Sequence, residues 1–323
     1  MMENPILIDF FGRQVSPYAL FILAGAVGAL GVFCFQARKL KPLSILLTVA
    51  LGIPLGLLGA RAFYVLARFS LFEEIGFDHF FRTNDEELRL WGAAKGAAFW
   101  GTVGGVALAA LIAGKISGEK TRNLLDALAA PAALGIALSR FGEFSIGEGI
   151  GPDVTPESLW FFPIAVVNEW QEWKYAVFLL EGIVGLIIFV ILLTEGQKYH
   201  EGYRARMFLI LYSATQILLE SLRRDNFLRW LFVRVSQVTA VVVLLGLIVF
   251  GILRWAKKPE AERMSQGRII LWSVLFLLAA GGMVWLEFAV DKSADLSVAA
   301  AYLLEAGCCA ILGVSSWQIA MKN

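Results

Sequence analysis

Nine ionisable residues sit inside or at the ends of the first seven strongly apolar segments: Arg61, Lys95, Asp126, Arg140, Glu143, Glu148, Glu181, Glu220 and Arg223. A charged side chain costs about 2.5 to 3.5 kcal/mol near a bilayer centre on insertion scales, so each of these calls for a partner or a function. The densest group is Ser139-Arg140-Phe141-Gly142-Glu143-Phe144-Ser145-Ile146-Gly147-Glu148-Gly149. A guanidinium there offers a rigid fork of donors that matches a phosphate, and the glycines let a lipid headgroup approach the backbone. A second group, Glu220-Ser221-Leu222-Arg223-Arg224-Asp225, closes a later apolar segment. Two arginines at one depth would clamp one phosphodiester. Two plainer readings stand beside this one: ion pairs that fix helix packing, and snorkelling of Arg223 and Arg224 to anionic headgroups without recognition. Glu143 adds a complication. Three residues after Arg140 on a helical turn, it pairs with that guanidinium, competes with phosphate and welcomes a headgroup that carries a cation.

The elements that must position these residues are membrane spans. Of 323 residues, 58% are apolar and only 17% charged, against roughly 25% in ordinary soluble domains. Mean hydropathy is +0.70. A net charge of +1, from 28 basic and 27 acidic residues, gives no reason to expect a nucleic acid partner. A hydrocarbon core of roughly 30 Å needs about 20 mostly apolar residues per helix, and about nine stretches qualify. They run near Pro17 to Gln36, Pro42 to Ala67, Leu90 to Gly114, Leu124 to Gly147, Tyr175 to Thr194, Arg206 to Leu222, Val233 to Leu253, Ile269 to Val290 and Ser297 to Ala320. The expected fold is therefore an all-α polytopic membrane protein.

Cytoplasmic loops retain Lys and Arg, which orients the chain. Basic residues follow the first span (Arg38, Lys39, Lys41), the third (Lys115, Lys120, Arg122), the fifth (Lys198, Arg204, Arg206) and the seventh (Lys257, Lys258, Arg263, Arg268). The loops after the second and fourth spans are acidic, with Glu73, Glu74, Asp78, Asp85, Glu86 and Glu87 in one and Asp153, Glu157, Glu169 and Glu172 in the other. The loop after the sixth span, with Arg223, Arg224, Arg229 and Arg234, runs against this alternation. The majority places the N-terminus outside and the C-terminus inside. Glu3 and Asp9 precede the first span and its basic cluster follows, the reverse of a secretory signal, so that span is expected to remain. Cys34, Cys308 and Cys309 lie in apolar spans without metal-ligand spacing and read as small buried residues. His79 and His200 fall in loops, and neither a metal nor a cofactor is expected. Trp160, Phe161, Phe162, Trp170 and Trp173 crowd the outer loop after the fourth span, as an interfacial aromatic belt does. The segment 69–89 is acidic and amphipathic and reads as an arm on the outer surface.

In order and spacing, these motifs resemble the prolipoprotein diacylglyceryl transferases of bacterial inner membranes over roughly residues 9 to 254. The family signature Gly-Arg-x-Gly-Asn-Phe-x-Asn-Gly-Glu is similar to Ser139–Glu148, keeping Arg140, Gly142, Phe144, Gly147 and Glu148, with Glu143 and Ile146 in place of its asparagines. Gly59–Leu66, containing Arg61 and Tyr64, resembles its Gly-Gly-Arg-x-Gly-Tyr-Val-Leu, and Pro17-Tyr18-Ala19-Leu20 its Trp-Tyr-Gly-Leu. Asp126 with Ala130-Pro131, Glu181-Gly182, Glu220 to Arg223 and Ser236-Gln237 resemble its Asp before Ala-Pro, Glu-Gly, Glu-x-x-Arg and Gly-Gln. Two motifs depart. Ala98-Phe99-Trp100-Gly101-Thr102 replaces Ser-Phe-His-Gly-Gly, and Gln171–Val177 stands where the family has His-Pro-Ser-Gln-Leu-Tyr-Glu.

The resemblance implies a seven-helix core over 1–255 with the outer arm and an outer head loop over 148–174 that covers the site. A cytoplasmic linker and two appended helices would fill 256–323. It further implies transfer of the diacylglyceryl group of phosphatidylglycerol to the lipobox cysteine of an exported lipoprotein precursor, in the bacterial cytoplasmic membrane. Arg140 and Arg223 would hold the phosphate and stabilise the leaving charge. Glu143 or Glu148 would be the base, and Tyr18 would orient a lipid oxygen. Arg61, Tyr64, Trp100, Gly142, Gly147, Glu220 and Gln237 would line the lipid. Trp100 at the histidine position keeps a second class open: a noncatalytic phospholipid-binding or transport protein, or a transferase with another lipid or acceptor, on the same scaffold.

Overall fold

A computed structural model describes residues 8–10, 13–70, 73, 98–168, 170–195, 201–224, 228–230, 233–260, 263–292 and 298–322. Most of the expected outer arm, Lys95, His79 and His200 lie outside the described residues. Nine α-helices occur among those described: α1 (Pro17–Ala37), α2 (Pro42–Ala67), α3 (Phe99–Ser117), α4 (Thr121–Gly142), α5 (Val177–Glu195), α6 (Tyr203–Leu222), α7 (Val235–Ala256), α8 (Gln266–Lys292) and α9 (Val298–Met321). Each overlaps one of the nine segments expected to span. Eight are long and apolar enough to cross a membrane; α6 is not among them, and its sequence carries Arg204, Arg206, Gln216 and Glu220. Large side chains such as Leu23, Val27, Leu66 and Leu278 face outward, an exposure suited to lipid rather than water.

Hydropathy did not anticipate three short antiparallel hairpins: β1 (Ile8–Phe10) with β2 (Arg13–Val15), β3 (Ala165–Val167) with β4 (Trp173–Tyr175), and β5 (Arg229–Trp230) with β6 (Val233–Arg234). Two or three residues per strand are too few for an alternating pattern to register.

The described chain forms two compact units, one of residues 1–205 with 223–235, the other of 206–222 with 236–323. In the first, α1 packs along α4, α4 along α5, and α2 along α3. The α2–α3 contact is backbone against backbone. A Cβ on Gly59 would lie 2.3 Å from the Gly101 carbonyl oxygen, and one on Gly105 would lie 2.0 Å from that of Leu55. Only glycine permits that approach, which replaces the hydrophobic drive that lipid does not supply.

The ends of these helices are tied by polar groups. Ser16 caps α1 by accepting from the Ala19 N–H at 3.3 Å, and Pro17 opens its first turn. Lys41 Nζ donates to the carbonyls of Ser117 (3.0 Å) and Gly118 (2.8 Å), fastening the α1–α2 loop to the α3–α4 loop. Gly118, at φ +67°, ends α3 in the left-handed conformation. Next to it, hydrogen bonds from Asn123, then Lys120 and Lys41, hold the Glu119 carboxyl below the usual range. Asp126 accepts from the N–H groups of Gly202 (2.6 Å) and Ala205 (2.9 Å). This gives a costly carboxylate in α4 a structural purpose: it caps α6 and faces the positive end of that helix dipole.

In the second unit, α9 packs along α8, and Gly251 of α7 lets Ile319 of α9 approach to 2.6 Å of the position a Cβ would take. Glu305, 2% exposed, accepts from Ser221 Oγ at 2.7 Å. Gln216 Nε2 donates to Glu220 at 2.7 Å, and Gln237 Nε2 to the Ile217 carbonyl at 3.2 Å. Polar residues of α6, α7 and α9 thus find partners within the unit, and the three cysteines are free thiols.

Replacing Asp126 by Ala removes the α6 cap and is expected to cost about 1–2 kcal/mol. Thermal unfolding in detergent reads this as a lower midpoint; an unchanged midpoint would show that the two N–H groups do not depend on the carboxylate.

Candidate functional site

Arg140 stands in the last turn of α4, where a cation meets the negative end of the helix dipole. The chain then tightens into a 3₁₀ turn over Glu143–Ile146, which carries the Glu143 carboxylate back to Arg140: Arg140 Nη1 donates to Glu143 Oε1. Two left-handed glycines, Gly147 and Gly149, both at φ +68°, reverse the chain. The Gly149 position has no room for a side chain, since a Cβ would lie 2.6 Å from Glu143 Oε2 and 2.6 Å from Phe178 Cβ. The Glu148 N–H donates to the Glu143 carbonyl at 3.2 Å, and the Phe178 N–H to the Gly149 carbonyl at 2.7 Å. The second bond leads the chain into α5.

One turn into α5, Glu181 is 3% exposed. Its Oε2 lies 2.8 Å from Arg223 Nη1 and 3.5 Å from Arg140 Nε. Arg223 Nη1 also lies 3.2 Å from Glu143 Oε2. Two guanidiniums therefore share two carboxylates in a buried group whose charges cancel. Arg223 is set in place through its backbone: the Arg224 N–H donates to the Ile150 carbonyl at 2.8 Å, and buried Arg234 donates Nη2 to the Arg223 carbonyl at 2.9 Å. Tyr18 closes the group from α1. Its N–H donates to Ser145 Oγ at 3.0 Å, which in turn donates to the Gly142 carbonyl at 2.9 Å. Gly142 leaves the space for this contact, because a Cβ there would lie 2.8 Å from Phe21 Cβ. The Tyr18 ring is within electrostatic reach of Glu143, Glu148, Arg140 and Arg223.

The structure thus gathers Tyr18, Arg140, Gly142, Glu143, Gly147, Glu148 and Arg223 at one end of α1, α4 and α5. Arg61 and Tyr64 form their own pair on α2, with the buried guanidinium 5.4 Å over the ring, and Arg68 lies 5.5 Å from the same ring. Trp100 is buried on α3 with its ring edge-on to Phe99 at 5.7 Å. Glu220 and Gln237 belong to the second unit and its own hydrogen bonds.

Sequence reasoning placed neither Glu181, Arg234 nor Ser145 in the site. Glu181 carried a usable signal: it is the one charge among the eighteen residues of α5 that precede Glu195, the other seventeen being apolar or neutral. Arg234 read as a topological charge, and nothing in its spacing revealed that it would hold a backbone carbonyl. Among the described residues, no three His, Cys, Asp or Glu side chains gather as metal ligands.

Beside this group the loop after α4 and the β3–β4 hairpin enclose a cavity of about 740 Å³. Phe144, Ile146, Phe162, Trp170 and Phe178 make it largely apolar, while Lys174 and Arg224 add two cations. The hairpin is braced by Trp160 stacked on Trp173 at 6.0 Å and by Trp160 Nε1 donating to the Val154 carbonyl at 2.7 Å. Lys174 pairs with Asp153 and with Glu172 (2.9 Å). Hydrogen bonds from Lys174 and then Asn168 hold the Glu172 carboxyl below its usual range, and hydrogen bonds to Asp153 and then Glu172 push Lys174 upward.

Comparison with known proteins locates this geometry in a family. The family model described as prolipoprotein diacylglyceryl transferase matches residues 5–253. A phosphatidylglycerol–prolipoprotein diacylglyceryl transferase of Enterococcus faecalis is 26% identical over 261 residues, covering 78% of this chain and 90% of the relative. Its namesake from Streptococcus pneumoniae strain JJA is 28% identical over 260 residues, covering 77% and 93%. That from Bacillus velezensis is 26% identical over 272 residues, covering 81% and 96%. The match ends within α7, so α8 and α9 lie outside it.

Two outcomes are expected. Glu181→Ala leaves two buried guanidiniums with one carboxylate between them and is expected to cost about 3–5 kcal/mol, read as a lowered unfolding midpoint; a neutral result would show that Glu181 does not balance the charge. In the hairpin, Glu172 is lowered in the folded state, so its contribution is present at neutral pH and lost as pH falls through the lowered value. Tryptophan emission is expected to change in acid and to lose that step in Glu172→Gln.

Proposed function

The chain belongs to the prolipoprotein diacylglyceryl transferase family, and on that premise we propose that it transfers a diacylglyceryl group from phosphatidylglycerol to the cysteine thiol of a lipobox-containing precursor. The observation that carries the reading is the convergence of Arg140 and Arg223 on the same two carboxylates. Two permanent cations within reach of one point are what a phosphodiester leaving group requires, because a guanidinium stays protonated and donates in a fork.

The chemistry then runs as a displacement. The thiol sulfur attacks the glyceryl carbon that bears the phosphate ester; a carbon–sulfur bond forms as the carbon–oxygen bond to phosphate breaks. Glycerol phosphate departs with the electron pair. Charge grows on that phosphate, and preorganised guanidiniums in a low-dielectric site stabilise it without reorganising. A free thiol with a pKa of about 8.5 must also lose its proton. Half-buried Glu148, on the turn between the two left-handed glycines, is the carboxylate we assign as the acceptor. Tyr18 orients a lipid oxygen from α1. Arg61, Tyr64 and Trp100 serve the lipid from α2 and α3. Gly142 and Gly147 shape the backbone turn.

In this reading the site faces the outer leaflet of the bacterial cytoplasmic membrane, with the N-terminus outside and the C-terminus inside. Residues 1–255 form the catalytic core, the hairpin over the cavity is its head, and 256–323 add two helices that pack or dock a partner. One observation favours a second reading. Trp100, an indole without acid–base chemistry, is buried where the resemblance expects histidine, and a noncatalytic phospholipid carrier would not need that base.

The test incubates the purified protein with phosphatidylglycerol and a lipobox peptide and looks by mass spectrometry for a thioether-linked diacylglyceryl adduct. Adduct is expected, and Arg140→Ala or Arg223→Ala is expected to lower its rate by at least about 100-fold. No adduct from any of several phospholipids would replace this reading with the carrier.

A further inference from the structure

The cavity beside the charged group has walls of two kinds. One is the turn after α4: Phe144 follows Glu143 in the chain, and Gly147 and Ile150 lie on either side of Glu148. The other is the β3–β4 hairpin, through Val166, Val167 and Trp173. The ladder of that hairpin fixes which backbone groups are left over. The Asn168 N–H donates to the Glu172 carbonyl and the Ala176 N–H to the Ile164 carbonyl, both at 3.0 Å, and the register pairs Val166 with Lys174 between them. An antiparallel ladder alternates, so Val167, opposite Trp173, turns its N–H and C=O away from β4. The far side of β4 is already taken: the Trp173 carbonyl accepts from the Val154 N–H at 2.8 Å, and the Tyr175 N–H donates to the Pro152 carbonyl at 3.0 Å. Ala165 is fully buried, whereas Val167 is 43% exposed. The hairpin therefore presents an accessible sheet edge at Val167, one donor and one acceptor, on the wall of an apolar space.

That edge discriminates between occupants. An acyl chain has no hydrogen-bonding group, and lying against Val167 it would cover two backbone polar groups without meeting either, which is costly. An extended peptide meets both, as in strand addition to a sheet edge, and sends alternate side chains into the apolar space. Exposed Phe162 and Trp170 are the aromatic faces those side chains would meet. We propose, on the premise of the transferase reading, that the acceptor precursor docks by adding an extended strand to β3 at Val167. The apolar residues beside its cysteine fill the cavity, and its thiol is directed to the turn that carries Glu148. The hairpin thus serves as the acceptor's docking edge, separate from the arginines that hold the phosphate.

The experiment measures initial rates of adduct formation from phosphatidylglycerol and a lipobox peptide, with the peptide N-methylated at each residue before its cysteine in turn. The wild type is compared with Val167→Pro, which removes the outward N–H at an edge position that tolerates proline. Val167→Pro is expected to raise KM for the peptide about tenfold and to leave KM for the lipid unchanged. With the wild type, N-methylation is expected to raise the peptide KM at a single residue and to spare both its neighbours, because only one N–H reaches the Val167 carbonyl. Wild-type peptide KM in Val167→Pro, or N-methylation that is harmless everywhere or equally harmful at adjacent residues, overturns the proposal. A raised KM for the lipid instead of the peptide gives the cavity to an acyl chain and also overturns it. Should Val167→Pro fail to fold, the peptide series on the wild type decides. Should no peptide yield adduct, the transferase reading fails and docking is read from peptide affinity, through the emission of tryptophans of which Trp170 and Trp173 line the cavity. A single-residue N-methyl penalty on affinity then supports the docking edge, and its absence overturns it.

Discussion

A guanidinium does not shed its proton when it leaves water, so Arg140 and Arg223 are tolerable in an apolar environment only where carboxylates meet them. Glu143 and Glu181 supply that requirement, each reaching both arginines. The surrounding architecture is arranged so that four side chains from three separate segments arrive at one point. A 3₁₀ turn brings Glu143 under Arg140, the start of α5 brings Glu181, and two backbone hydrogen bonds bring Arg223. Loss of any one of them would strand a charge.

Glycine makes the approach possible. Gly142 yields space to Tyr18 and Phe21, Gly149 to Glu143 and Phe178, and Gly182 to the Phe141 ring. The same economy governs α2 and α3, where Gly59, Gly101 and Gly105 bring backbones into contact. In lipid, apolar side chains gain little by leaving their solvent, so close packing and internally satisfied polar groups hold the helices. Asp126 on the Gly202 and Ala205 N–H groups, and Glu305 on Ser221, are polar groups of that kind.

Charge balance also separates this chain from the signature it resembles. With asparagine at the position of Glu143, the arginines would carry surplus positive charge and an anionic phosphate would complete the group. With glutamate there, both arginines meet two carboxylates. Trp100, buried at the position that the resemblance gives to histidine, carries an indole without acid–base chemistry.

Much of this was legible in the residues. Length and apolarity determine helices in a bilayer because the unsolvated backbone must bond to itself, and nine apolar runs became nine described helices. Arg140 and Glu143, three residues apart, announced their pairing, since local spacing fixes a local contact. What spacing along one segment does not encode is which distant segments converge. Glu181 lies 38 residues from Glu143 and Arg223 a further 42 along the chain, and only helix packing brought them within 3.2 Å of shared partners. The role of Arg234 was hidden for the same reason, because a hydrogen bond to a backbone carbonyl leaves no pattern in the sequence. The sequence by itself determined the solvent, the helices and the residue types able to meet a phosphate; the tertiary structure alone decided that two arginines would be neutralised by two glutamates, because charge balance is a property of positions in space.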